Sequence, residues 1–570
     1  APRAGFAPLE RTTQLVQREG LTPREARAVV RATTAFTTHT PIPAGHDTFE
    51  EDLIRRYFSR TAAWGGFTWE TFLSFGRAPD EGGRFNMTYF SMSFASRING
   101  VSAKHGEVSR DLLQRYWPGL LREEVPVDAI TNGIHLATWT DPAIGPLLGR
   151  AEGAVRGEDF ATAAANVDPE ALWEIRRAAK RRLFQAIDRR IERAARDHDM
   201  RSSTLEKMRA GLDEDALVIG FARRLAPYKR ADLLLAKPER LLRLLQNADR
   251  PVRILFAGKA HPDDGAGGEI LKALVGASRS EDLAGSVYFL ENYDMTLGRL
   301  LVQGVDVWLN NPIPPQEASG TSGMKAAANG GLNPSIMDGW WIEACDGRNG
   351  WCLRAREEDF AGKQRDSRDA SEIFTLLEDE VVPLYFDRDL TGVPQAWLQR
   401  AVHAMSTIPP TFNTDRMVEE YTDEAYRPLA ENFAQMQADG FEPARHATRH
   451  RLRLKRGMED VRILTTHVSD TSDLRVGDAI RASREVDLGA LEPDDVVAEL
   501  LVGRIDEAAE PGPLTVVELP PTGGKTADGK LQVEGQLVIE ESGGFHYGLR
   551  VRPRDVAEWD LTLRRMVRWA

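Results

Sequence analysis

The chain has 570 residues, 42% of them hydrophobic, and 73 Lys and Arg against 86 Asp and Glu give a net charge of -13. Such a length allows roughly two to four domains with a large core, and no apolar run is long enough to span a bilayer. The acidic balance argues against nucleic acid or an anionic membrane as the main partner, whereas a neutral polymer needs no charge matching. Cys345 and Cys352 are the only cysteines, which reads as a cytoplasmic protein with no disulfide framework and no metal site.

Residues 1–35 read as two helices, the second opened by Thr22-Pro-Arg-Glu25, followed by a β-rich run from Thr33 to Thr38. His39 closes that strand, where a doubly wound sheet presents groups to a ligand. His46 follows Pro43-Ala-Gly45 and can simply order the loop. From Phe85 to Arg110 a helix-like stretch precedes two turn signals, Asn99-Gly100 and His105-Gly106; Asn132-Gly133 marks a third after the apolar approach Val125 to Ile130. Lys104, His105 and Glu107 read as structural or interface residues. Residues 169–197 form one amphipathic helix, with Leu172, Ile175, Ala179, Leu183, Ile187 and Ile191 on its apolar side and arginines on a face read as solvated.

Strands at Leu217–Phe221, Val252–Phe256, Val287–Leu290 and Val305–Leu309 then alternate with helices near Leu233, Ile270–Val275 and Leu297–Gln303. This predicts a parallel sheet covered on both faces, with ligand beyond the carboxyl ends of its strands. The loops there carry Arg223, Arg224, Tyr228 and Lys229, then Gly258 and Lys259, then Tyr293, then Glu317-Ala-Ser-Gly-Thr-Ser-Gly-Met-Lys325. In the last loop Gly320, Thr321, Ser322 and Gly323 leave backbone N–H groups bare at a helix start, a cradle for phosphate. Lys325, just inside that helix, loses its proton more easily near fixed positive potential and can condense with an aldehyde, which suits pyridoxal phosphate. Two phosphates close together in a partly dry cleft repel unless cations neutralise them, and Arg223, Arg224 and Lys229 fit that need. Further on, Pro334 interrupts the run Asn329 to Asp338, and Trp340 and Trp341 read as buried rather than stacked on sugar. A helix from Phe412 to about Gln437 crosses back toward the first domain. The β-rich runs Val496–Val502, Leu514–Leu519, Leu531–Ile539 and Phe545–Val551 point to a small β-sandwich.

Six segments in order, namely Phe36-Thr-Thr-His-Thr-Pro-Ile-Pro-Ala-Gly-His46, Ile98-Asn-Gly-Val-Ser-Ala-Lys-His-Gly-Glu107, Thr131-Asn-Gly-Ile134, Gly220-Phe-Ala-Arg-Arg-Leu-Ala-Pro-Tyr-Lys-Arg230, Phe256-Ala-Gly-Lys-Ala260 and Glu317–Lys325, resemble those of the α-glucan (glycogen, starch, maltodextrin) phosphorylases, closest to the bacterial short form. The resemblance implies an α/β fold of the glycosyltransferase-B type, two doubly wound parallel sheets plus a C-terminal β-sandwich. Residues 1–155 would be an incomplete N-terminal substrate domain, 156–455 the pyridoxal-phosphate-binding catalytic domain with its return helix, and 470–570 an accessory domain. A glycine-rich loop expected upstream of His39 is not in the sequence, so a truncated chain with an exposed sheet edge and impaired activity is expected. The implied reaction is reversible phosphorolysis of an α-1,4-glucan by orthophosphate to glucose 1-phosphate, with retention, the 5′-phosphate of pyridoxal 5′-phosphate shuttling the proton and Lys325 acting as tether.

By the same resemblance Lys325, Gly320, Thr321, Arg223, Lys229 and Tyr293 would hold the cofactor. Arg224 would hold the substrate phosphate, and His39, Asn132, Glu317 and Ser319 would contact the sugar. Lys325, Arg224, Lys229 and His39 are the expected catalytic set. Animal members often carry lysine where Arg223 stands, and Gly-Asn where this chain has Ser322-Gly323. A homo-oligomer is compatible with all this. Two other readings share the architecture: an inactive glucan-binding remnant, and a nucleotide-sugar glucosyltransferase of the glycogen synthase type, which has no reason to keep an amine in a phosphate cradle.

Overall fold

A computed structural model describes residues 2–570 apart from 43, 44, 78–81, 355–361, 470–474, 506–510, 541, 555 and 558. Pro43 and Ala44, expected behind His46, therefore lie outside the described residues. The two N-terminal helices are Ala7–Glu19 and Pro23–Ala32. Thr22 and Glu25 close a reciprocal cap at the start of the second, the Thr22 N–H donating to the Glu25 carboxylate at 2.8 Å. That helix delivers the chain to strand β1 (Ala35–Thr37), which pairs in parallel with β2 (Arg97–Gly100), itself paired with β3 (Asp128–Ala129).

The glycine signals in this region are not turns. Asn99-Gly100 ends β2, and His105-Gly106 lies inside the helix Ala103–Leu113. A Cβ on Gly100 would stand 2.8 Å from the Gly106 nitrogen, and one on Gly106 3.0 Å from the Ala129 Cβ. The two glycines let helix and sheet backbones approach, a use of glycine that local sequence cannot distinguish from a bend. Gly133 is alike: any side chain there would run into the Asn413 backbone, and Ile134 N–H bonds to the Phe412 carbonyl at 3.1 Å.

The second unit is built on β4 (Leu217–Ala222), β5 (Val252–Ala257), β6 (Val287–Leu290) and β7 (Val307–Trp308), all parallel, in the order β6-β5-β4-β7. Bridges Val307–Leu332 and Asn310–Ser335 add β8 (Asn333–Ile336), and β8 pairs with β9 (Gly350–Leu353). Every residue of β4 is buried, as expected for a strand covered on both faces. The order reverses between β4 and β7, so the loops leaving these two strands diverge and open a crevice at their carboxyl ends. Pro334 does not interrupt the run. It sits within β8, opposite Trp351, and its carbonyl accepts from the Asn310 N–H at 3.1 Å; it forfeits only its own donor.

The long helix spans Pro169–Asp197, with Asp168 accepting from the Glu170 N–H at its start. Its cationic face is not all solvated. Arg176 and Lys180 are buried; Lys180 Nζ lies 2.7 Å from Asp306, and Arg176 donates to the carbonyls of Gln303, Val305 and Asn329. These cations fasten the helix to the segment leading into β7, so pairing with a buried carboxylate takes the place of water.

The two cysteines are joined, contrary to the expectation from chain length: Cys345 follows the helix Trp341–Ala344, Cys352 lies in β9, and the short loop between them brings their sulfurs into a disulfide. Trp340 and Trp341 are buried as expected. The return helix runs farther than expected. It starts at Thr414, passes through a wider turn at Thr422–Tyr426 and continues as Arg427–Asp460, with non-helical backbone at Ala438–Phe441. Beyond it, strands Arg462–Val468, Ala479–Asp487 and Lys530–Val538 form one antiparallel sheet, and Pro511–Glu518, Val496–Ile505, Phe545–Pro553 and Arg568–Trp569 another. Leu454, Met458, Ile480, Val486, Leu500 and Val551 share one core there. Arg550, between Glu124 and Glu499, joins this unit to the first.

Candidate active site

A cleft of about 850 Å³ lies between the two α/β units, beyond the ends of β1, β4 and β7. His39 and Asn132 line it from one side; Arg223, Arg224, Lys229, Glu317, Ser319, Gly320 and Thr321 line it from the other. Three hydrogen bonds hold the walls together. Ser102 Oγ donates to the Ala318 carbonyl at 2.7 Å, and the Glu343 carboxylate accepts from the Ala103 N–H at 2.9 Å and from Thr131 Oγ1 at 2.7 Å.

The cations after β4 meet Glu317. Arg223 Nη2 lies 2.8 Å from Glu317 Oε2, the same oxygen takes Lys229 Nζ, and all three side chains are nearly out of water. Burial works against the charge on Glu317, yet Arg223 and Lys229 hold its carboxyl below the usual range. Burial, and then the Arg223 charge, push the Lys229 amine down. Glu317, the expected sugar contact, thus serves through Oε2 as an internal counter-ion, and its own N–H donates to Asp338 at 2.9 Å. Arg224 stands exposed in the cleft next to Tyr228, whose hydroxyl is pushed up to about 12 chiefly by burial.

Two polar atoms here lack any partner: Arg223 Nη1 and Ser319 Oγ, both buried. Next to them the loop is bare. Gly320 has φ +94°, a conformation that favours glycine, and a Cβ on Gly323 would press on Asn333 Oδ1 at 2.6 Å. Orphaned donors beside an uncovered backbone are what a phosphate group requires, so the residues fit the phosphate of pyridoxal phosphate.

Lys325 and Tyr293 do not line the cleft with the others. Lys325 is on the helix Ser322–Ala327, and its amine lies 3.6 Å from the ring centre of Trp139. Burial lowers its pKa to about 8. Tyr293 is half-buried; burial raises its hydroxyl pKa, and Arg223 is near enough to oppose the rise. Trp139 and Asp338 escaped the sequence reading. Trp139 lies in Thr138-Trp-Thr140 with no motif around it, and Asp338 was visible only as the end of a strand-like run. His105 is buried, accepts from the Val101 N–H at 3.1 Å, and is pushed down to about 4 by burial, so it stays neutral. No cluster of His, Cys, Asp or Glu able to hold a metal occurs among the described residues, and no helix among them is long and apolar enough to cross a membrane.

Fold and site together define an α/β protein with a cation-lined cleft at the switch point of a parallel sheet. Residues 77–349 match the family model for carbohydrate phosphorylases, and residues 459–570 match the glycogen phosphorylase C-terminal domain. A glycogen phosphorylase of Mycobacterium tuberculosis is 36% identical over 564 residues, 97% of this chain and 65% of that protein. A maltodextrin phosphorylase of Thermococcus litoralis is 38% identical over 504 residues, 87% of this chain and 58% of its own, and a glycogen phosphorylase of Aquifex aeolicus is 38% identical over 421 residues, 72% and 59%. The chain belongs to the carbohydrate phosphorylase family, and it spans about 65% of the length of the mycobacterial relative.

Proposed function

We propose that the chain carries the catalytic cleft of an α-1,4-glucan phosphorylase, which cleaves glycogen or maltodextrin with orthophosphate to glucose 1-phosphate, with retention. In this reading the two α/β units are the halves of a glycosyltransferase-B arrangement (residues 1–155 and 156–455) and residues 470–570 a β-sandwich. The observation that carries it is the orphaned, buried Arg223 Nη1 beside the bare Gly320–Ser322 backbone, with exposed Arg224 on the same wall of the cleft. The names of the relatives, glycogen and maltodextrin phosphorylase, supply the substrate class.

Pyridoxal phosphate would be held by Lys325, Gly320, Thr321, Arg223, Lys229 and Tyr293, and it supplies a phosphate that can give and take a proton beside the substrate's own phosphate. Arg223 offers its free Nη1 to the cofactor phosphate while Nη2 stays on Glu317. Lys229 balances the same charge. Arg224 orients the substrate phosphate in a fork, and Tyr228 braces Arg224. Asn132 and Ser319 donate to sugar hydroxyls. His39, whose pKa is lowered by desolvation, is set to hydrogen-bond the glucosyl unit. Lys325, whose pKa burial lowers to about 8, would tether the cofactor, and Trp139 covers its amine at 3.6 Å from the ring centre. The test is phosphate-dependent release of glucose 1-phosphate from maltodextrin after loading with pyridoxal phosphate. No release from loaded protein, with Lys325 shown to be modified, would overturn the activity.

A further inference from the structure

A second cavity, of about 800 Å³, lies where the helix Pro23–Ala32 and residues 66–77 meet the Arg427–Asp460 helix and the Thr562–Arg565 tail. It shares no residue with the cleft. Arg24, Arg27, Arg31, Arg451, Lys455 and Arg565 line it, and among the described residues no carboxylate does. In a chain of net charge -13 this is a concentrated reversal of sign.

The structure uses only part of that charge. Asp560, fully buried beneath the cavity, is shared by Arg31 at 3.0 Å and Arg451 at 2.8 Å. Arg77 is taken by Glu51 and Glu70. Among the described residues Arg27 pairs with no carboxylate: it donates to the Ser93 carbonyl at 2.8 Å and lies 4.1 Å over the Phe75 ring. Arg27 Nε and Arg31 Nη2 are buried and without a hydrogen-bond partner, although the Arg31 side chain is only 2% exposed. Burial, then the charges of Arg31 and Arg451, push the Arg27 guanidinium well down. Like charges packed this closely with idle donors are complementary to a dianion, and guanidinium forks match phosphate oxygens. Thr22, Thr68, Thr448, Phe67 and Tyr116 line the remaining volume, with the Arg565 guanidinium 4.5 Å over the Tyr116 ring, and the cavity has the size of a small-molecule pocket.

We propose that this cavity binds a small phosphorylated molecule, its phosphate on Arg27 and Arg31 and its uncharged part against Phe67 and Tyr116. The test is calorimetric titration with inorganic pyrophosphate on a chain carrying Arg224→Ala to weaken the cleft. One site per chain is expected, weakening as salt is raised. Adding Arg24→Glu and Lys455→Glu, both exposed at the rim and outside the packed core, should weaken it at least tenfold; Arg27→Gln should do the same, with the unfolding temperature in pyrophosphate falling toward that in plain buffer. The proposal is overturned by absence of binding to the Arg224→Ala chain, or by binding that the rim reversals and Arg27→Gln leave unchanged.

Discussion

Replacing Glu317 by Gln tests the charge balance of the cleft most directly. The substitution keeps shape and one acceptor but removes the single negative charge that Arg223 and Lys229 share. The three side chains are exposed by only 8%, 7% and 10%, so water screens the loss little. Leaving a buried ion pair without its partner costs about 3–5 kcal/mol, and the remaining amide acceptor places this variant at the lower end, about 3 kcal/mol. An anion can take the vacated role: a ligand at a hundred times its dissociation constant stabilises by about 2.7 kcal/mol. Thermal unfolding in phosphate-free buffer should therefore show Glu317→Gln melting several degrees below the parent, and phosphate should close most of the gap while shifting the parent less. Equal stability without phosphate, or a gap that phosphate does not narrow, would refute the view of Glu317 as an internal counter-ion.

Covalent capture of pyridoxal phosphate by Lys325, followed by absorbance, should accelerate with pH about a midpoint near 8. Since burial places the folded-state pKa below the free value of about 10.4, the unfolded chain binds the extra proton between these values, and this group's contribution to folding rises with pH across that window. Trp139→Ala opens the amine to water, and the midpoint of capture should move up. Arg224→Ala, at an exposed position, should leave the unfolding temperature unchanged but lower phosphate-dependent turnover by about 10–100-fold, the worth of one charge-assisted contact. Gly133→Ala forces a Cβ onto the Asn413 backbone; a loss of about 2 kcal/mol or more is expected in denaturant titration, together with weaker glucan binding.

The periodic parts of this chain could be read directly. Val252–Ala257 and its parallel neighbours announce themselves by apolar runs between helical segments, and from them follows the edge at which Arg223, Arg224, Lys229 and Gly320 meet. What stayed hidden depends on pairings across long separations. The resemblance gave Glu317 a sugar contact, and nothing local says that Arg223, 94 positions earlier, and Lys229, 88 positions earlier, would also reach it. Gly100, Gly106 and Gly133 were visible as glycines, but whether a glycine bends a chain or lets two backbones touch is decided by the partner surface. Arg176 and Lys180 fall at the spacing of the apolar side, four and eight residues after Leu172, and it was their charge that hid their burial; Asp306 is the partner that makes it possible. The join between Cys345 and Cys352 was missed because chain length says nothing about how a short loop folds back on itself.

Glu343 grips the Ala103 backbone and the Thr131 hydroxyl, while Ser102 grips the carbonyl next to Glu317. Those three bonds make the floor of one unit continuous with the anion loop of the other. A swing that widened the entrance for a polymer end would have to unfasten them, and the same movement would tug on the residue neutralising Arg223 and Lys229. Under the proposed function, entry of a polymer end and the charge balance at Arg223 and Lys229 would be geared to a single latch.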